Sequence, residues 1–174
     1  MQVAVNLREE TDWEAPMINN DIIRRVRYAL SISNADMVEI FKLAGHDFPE
    51  AEIPGILKKE KETGFVECGD TLLELFLDGL IIMKRGKKES SSPHSSALPR
   101  ASMSNNMVLK KLRIAFNLKE DDMLAMFTLA DCAVTRPELS ALFRKHGSKN
   151  YKVCGDQILK KFLHGVTVFF RPPS

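Results

Sequence analysis

The sequence is poor in the residues that cross-link and punctuate small secreted folds, with three cysteines, nine glycines and eight prolines in 174 residues. Cys68, Cys132 and Cys154 are odd in number and none stands in a CxxC pair. That argues against a disulfide framework and against a zinc module, and it fits a reducing cytoplasm. So little glycine and proline, beside ten phenylalanines and eight methionines, favours helices over a turn-rich β architecture. Long apolar runs are also missing. Glu74, Asp78, Lys84 and Arg85 break up the longest candidate well short of the roughly 18 residues a bilayer span needs, so no membrane association is expected. The first residues, MQVAVNLREETDWEAP, hold four acids and one arginine and lack the apolar stretch of a signal peptide.

Motifs that carry catalytic chemistry are equally scarce. Neither GxGxxG nor GxxxxGK[ST] occurs, and His46, His94, His146 and His164 share no HxxxH or HExxH spacing. No cofactor and no metal are expected, and an enzyme is the least supported class.

What the chain does have is an internal repeat. Residues 19–85 align with 105–171 without a gap, and 19 of those 67 positions are identical. Between the copies, GKKESSSPHSSALPRASMS (86–104) is rich in Ser and Pro and reads as a solvated linker. Residues 1–16 have no counterpart in the second copy and read as a loose extension or an upstream mis-start before Met17. The expected organisation is therefore an extension (1–16), a first repeat (17–85), a linker (86–104) and a second repeat (105–171). The repeat signature comprises Arg27, Cys68, Asp70 and Gly79, matched by Arg113, Cys154, Asp156 and Gly165.

Each copy reads as four helices. DIIRRVRYALSI places Ile22, Ile23, Val26, Ala29 and Leu30 on one face, with Asn20 as the expected N-cap. Ser33 and Asn34 open a second helix through Met37, Ile40, Phe41 and Ala44, and Gly45 suits its C′ position. The third should start at Thr135 and Pro137 in the second copy, whereas Pro54 and Gly55 should delay or bend it in the first. The fourth is expected to start with Asp70 or Asp156 as N-cap, and its nearly all-round apolar surface predicts a central position. Gly79 and Gly165 recur inside it, where glycine costs about 1 kcal/mol relative to alanine, which predicts close helix approach there. A unit of this size is marginal alone, so the fold expected is all-α, two four-helix repeats forming a pseudo-two-fold pair packed largely through their fourth helices.

These segments carry a resemblance. NNDIIRRVRYAL, DMVEIFKLAG and FVECGDTLLELFLDGLIIMKRGK, repeated as NNMVLKKLRIAF, DDMLAMFTLA and YKVCGDQILKKFLHG, are similar to the bacterial YehS-like family, short proteins built from a duplicated domain of unknown function. The resemblance spans residues 17 to about 171 and implies no activity and no site residues.

Candidate chemistry is thin. Cys68 and Cys154 precede a helix start, where the dipole favours a reactive thiolate, but a small buried hydrophobe is the favoured reading. Asp70 and Asp156 are explained by capping. Arg27 and Arg113 suit an anion or, more simply, a salt bridge to Asp36 or Asp70 and to Asp122 or Asp156. The second and third helices have a weak likeness to a helix-turn-helix.

The net charge of +2 hides an asymmetry: 17–85 sums to −3 and 105–174 to +6. Lys110, Lys111, Arg113, Arg136, Arg144, Lys145, Lys149 and Lys152, with Lys160 and Lys161, are the candidate phosphate-binding face. The function expected is noncatalytic binding of a macromolecule, a protein ahead of a nucleic acid. The alternative is a nucleic-acid-binding regulator using the basic second copy, and a thiol-dependent enzyme comes third.

Overall fold

The structure, a computed structural model, describes residues 15–87 and 102–173. The expectations for residues 1–14 and for the linker around His94 lie outside the described residues. Eight α-helices are present among those described: α1 (Asn19–Leu30), α2 (Asn34–Leu43), α3 (Ile53–Ile56), α4 (Asp70–Arg85), α5 (Asn105–Ala115), α6 (Glu120–Leu129), α7 (Arg136–Leu142) and α8 (Asp156–Phe170). α1–α4 and α5–α8 repeat one another in order.

Local chemistry explains most of the helix ends. The Ser33 hydroxyl accepts from Asp36 N at 3.1 Å, and that of Thr135 from Glu138 N at 3.3 Å, so both residues cap their helices as expected. Gly45 follows α2 at φ +83°, a left-handed position that closes the helix, and Asp131 fills the equivalent place at φ 51°. The third helices differ as Pro54 and Gly55 predict. A 3-10 turn (Glu50–Glu52) precedes the one-turn α3, whereas α7 runs for seven residues. A helix of one turn leaves the first copy without a second helix long enough for a helix-turn-helix.

Two capping expectations are overturned. Ile18 and not Asn20 occupies the N-cap position of α1, because Asn20 is fully buried and used elsewhere. Gly69 and Gly155 occupy the N-cap positions of α4 and α8, which puts Asp70 and Asp156 one residue inside the helix with their carboxylates facing other elements.

Packing among the helices corrects the expected arrangement further. α4 packs principally on α2 and α5, and α8 on α6 and α1, so each fourth helix lies against the first helix of the other repeat, not against its twin. Contacts at both ends give the directions. Asp156 at the start of α8 meets Met17 just before α1, and Arg171 after α8 meets Tyr28 near the end of α1. Asp70 meets Met103 just before α5, and Asn19 and Asn105 meet Asp70 and Asp156 of their own copies. Phe116 and Phe170 meet at the far ends of α5 and α8. α1, α4, α5 and α8 thus form a ring of four helices running in the same direction, flanked by α2 on one side and α6 on the other.

Gathering four helix starts at one end places four positive dipole ends together, and four negative ones at the other. The sequence complements both. Asp21, Asp70 and Asp156 stand in first turns, while Arg27, Lys84, Arg85 and Arg113 stand in last turns.

The apolar face of α1 (Ile22, Ile23, Val26, Ala29) and that of α5 (Val108, Leu109, Leu112, Ala115) are buried in one cluster that spans both repeats. The fourth helices are central through their middle turns, with Leu73, Phe76, Leu77 and Leu80 buried, but Met83, Lys84 and Arg85 emerge into solvent. The recurring glycines do mark close approach, and the neighbour is the second helix of the same copy. A Cβ at Gly79 would overlap the carbonyl oxygen of Ile40, and one at Gly165 that of Met126.

Candidate functional site

The residues singled out for chemistry fall mostly into structural duties. Asn20 is buried, and its amide donates to Ile56 O at 2.9 Å and Val66 O at 2.8 Å while its oxygen accepts from Cys68 N at 3.0 Å. Asn106 repeats this with Leu142 O at 2.9 Å, Lys152 O at 2.9 Å and Cys154 N at 2.9 Å. One buried amide thus ties α1 or α5 to both ends of the segment that joins the third and fourth helices.

That fixes the cysteines. Cys68 and Cys154 are buried behind these bonds, and burial, reinforced by the carboxylates of Asp70 and Asp156, pushes each thiol up to about 12. At that value the thiolate is negligible at neutral pH, so both behave as small hydrophobes.

Asp70 and Asp156 close a ring of hydrogen bonds at the start of the bundle. Asp70 accepts from Asn19 Nδ2 at 2.8 Å and Met103 N at 2.9 Å, and Asp156 from Asn105 Nδ2 at 2.7 Å and Met17 N at 3.0 Å. The Met17 amide, supported by Asn105 and Lys160, holds the Asp156 carboxyl below the usual carboxylate range.

Arg27 and Arg113 do not form the expected salt bridges. Their Nε atoms donate to Ile32 O at 2.9 Å and Leu118 O at 3.1 Å, so each pins the turn that follows its own helix. The expected carboxylate partners are engaged elsewhere, Asp36 by Ser33, Asp122 by Lys119 N, Asp70 by Asn19 and Met103, and Asp156 by Asn105 and Met17. The Arg27 guanidinium continues to Asn34 Oδ1 at 2.8 Å, while that of Arg113 lies 4.7 Å from the centre of the Phe143 ring.

The structure divides the ten basic candidates instead of gathering them. Lys111 is half-buried between Glu74 and Asp78 of α4. Lys160 is buried and donates to Ala15 O, and Lys161 to Ala130 O. Arg136 pairs with Asp121 and Glu120. Four of the remainder, Arg144, Lys145, Lys149 and Lys152, stand exposed on the segment between α7 and α8, and Lys110 is exposed on α5. Arg113 and Arg144 line a shallow groove of about 360 Å³ together with Phe143, Leu139, Ser140 and Glu120.

A feature absent from the sequence reading lies where the helix ring ends. The Arg171 guanidinium sits 4.2 Å from the Tyr28 ring centre, Phe169 and Phe170 meet edge to face at 5.1 Å, and Phe170 reaches Phe116 at 5.5 Å. Tyr28 is 59% exposed and Phe169 55%. Phe116, Phe169 and Phe170 meet within the second copy, whereas only the juxtaposition of α1 with α8 brings Tyr28 to Arg171, which periodicity within one repeat could not disclose.

Among the described residues there is no group of three or more His, Cys, Asp or Glu side chains able to hold a metal ion, and no helix long and apolar enough to cross a membrane. Comparison with known proteins matches the model of a family described as "Protein of unknown function (DUF1456)" twice, at residues 19–86 and 105–171. The chain is 46% identical over 150 residues to the uncharacterized protein YehS of Escherichia coli K12, covering 86% of this chain and 94% of that protein. No solved structure matches.

Proposed function

The chain belongs to the DUF1456 family, whose function is unknown, and from that premise we propose that it is a noncatalytic, cytoplasmic binding protein that engages a partner protein through the closing end of its helix ring. The observation that carries this reading is that the closing end of the ring exposes the Tyr28–Arg171 pair and the Phe169–Phe170 pair. Aromatic residues and arginine are the types enriched at protein interfaces and at their energetic centres, because they bring large contact area with few rotatable bonds.

A noncatalytic role is supported by the duties already assigned. Cys68 and Cys154 are un-ionised and buried, and Asp70 and Asp156 hold helix starts. The three free cysteines are in keeping with a reducing compartment.

Affinity purification from native cells, with nuclease treatment, tests the proposal when the unmodified chain is compared with the double variant Tyr28→Ser, Phe169→Ser. Both side chains are mostly exposed, so the variant should fold. A partner protein recovered with the first and missing with the second is expected. The same set recovered with both, or a set that disappears on nuclease treatment, contradicts the reading. A nucleic-acid-binding regulator is the second reading, and the observation favouring it is the exposed Arg144, Lys145, Lys149 and Lys152.

A further inference from the structure

The two copies build the segment between their third and fourth helices on one backbone and decorate it with different charge. In the first copy Glu62 N donates to Lys59 O at 2.9 Å, Phe65 N to Glu62 O at 3.1 Å and Val66 N to Gly55 O at 3.0 Å. In the second, Ser148 N donates to Lys145 O at 3.0 Å, Tyr151 N to Ser148 O at 3.2 Å and Lys152 N to Ala141 O at 3.0 Å. The left-handed turn residue is also shared, Gly64 at φ 84° and Asn150 at φ 66°.

On this common frame the first copy sets Lys58, Lys59 and Lys61 against Glu60, Glu62 and Glu67, and is neutral. The second carries Arg144, Lys145, Lys149 and Lys152, with His146, Ser148 and Val153 where the three glutamates stand, and no acid occurs between Glu138 and Asp156. The fold does not require this charge, since the neutral copy adopts the same turns. All four cations are exposed, and among the described residues none enters a salt bridge.

We propose that the 143–155 segment is a binding site for single-stranded nucleic acid, a surface separate from the aromatic end of the helix ring. Four exposed cations outside any salt bridge, of which one, Lys152, feels a nearby carboxylate, that of Glu138, suit a phosphate backbone, whose affinity comes from counterion release. The rings of His146 and Tyr151 meet at 5.2 Å among those cations, and aromatic groups interleaved with basic ones are what unpaired bases stack upon. An acidic protein partner would call for apolar contact area beside the charges, and Val153 is the one aliphatic residue exposed along the segment.

Fluorescence anisotropy of labelled RNA and DNA single strands of about 20 nucleotides with the full chain tests this, at about 50 and about 200 mM KCl. Binding at the lower salt is expected, weakened about fiftyfold at the higher if four phosphates are neutralised. The variant His146→Glu, Ser148→Glu, Lys149→Thr, Lys152→Val installs first-copy residues on a backbone known to carry them. It should keep the thermal midpoint and lose at least about tenfold in affinity. The converse variant Glu60→His, Glu62→Ser, Thr63→Lys should bind more tightly than the unmodified chain. No binding at the lower salt, or equal binding by the neutralised variant, overturns the proposal. Competition by polyglutamate as effective as that by nucleic acid also overturns it and reassigns the segment to acidic proteins.

Discussion

Met103 donates its main-chain N–H to Oδ2 of Asp70 at 2.9 Å, from the residues leading into the second copy to the last helix of the first. Met17 does the same to Asp156 at 3.0 Å in the opposite sense. The two bonds make each repeat's fourth helix a receptor for the start of the other repeat, and with Asn19 and Asn105 they close a ring around the bundle.

This ring predicts an acid-sensitive component of stability. The Met17 amide lowers the Asp156 pKa, so the interaction is complete above the unfolded value near 4 and is lost as pH falls through the lower folded value. Asp156→Asn should therefore destabilise at pH 7, by no more than about 1 kcal/mol given solvent screening of the carboxylate, and the difference should be smaller when measured at about pH 3. Urea unfolding at the two pH values measures this. A difference that does not change with pH contradicts it.

Asn20 and Asn106 are the sharpest single points of failure. Replacing either by alanine leaves a buried carbonyl, a buried amide N–H and a part-buried carbonyl without their partner. Asn20→Ala should lose about 3 kcal/mol or more, and Asn106→Ala a similar amount, measured by chemical denaturation. A loss under about 1 kcal/mol means that water replaces the amide.

Gly79 and Gly165 should resist even alanine. The added methyl meets main-chain atoms of α2 or α6, which cannot rotate away as a side chain tip would. Gly79→Ala is expected to cost about 3 kcal/mol in place of the roughly 1 kcal/mol gain that alanine brings to an unconstrained helix. Thermal unfolding of both alanine variants decides this, and a stabilised variant refutes the close approach.

The cysteines should separate by reactivity. Cys132 is half-buried, whereas Cys68 and Cys154 are buried with their pKa pushed up to about 12. Alkylation at pH 8 followed by mass spectrometry should label Cys132 first, and the other two only at the rate of unfolding. Prompt labelling of Cys68 or Cys154 in the folded protein contradicts the assignment.

Much of this was legible from residues. The duplication, the apolar stripes of α1 and α5, the caps at Ser33 and Thr135, the short α3 and the tight approach at Gly79 and Gly165 all follow from local pattern, because each depends on neighbours within one copy. The pairing of the two copies about a pseudo-two-fold was legible too, but which helices make it was not. Periodicity says that α4 has an apolar face but not which helix covers it, and an aspartate at a helix start reads as a cap until a second chain segment is seen to occupy it. Asn20 misled for the same reason, since its three partners lie 36 to 48 residues away. Lys111 was counted as surface charge because Glu74 and Asp78 belong to the other copy. The Tyr28–Arg171 surface was hidden for want of the α1–α8 contact.

The interlocking of the copies is tested most directly by cutting them apart. Residues 15–87 and 102–174 produced as separate polypeptides should each fail to form a cooperatively folded monomer, because α1, α4, α5 and α8 would each lack a helix of the other copy that covers them. Mixed in equal amounts, they should form a one-to-one complex with the helix content and unfolding transition of the intact chain, measured by circular dichroism and ultracentrifugation. Either half unfolding cooperatively as a monomer, with no change when the other is added, would contradict the account.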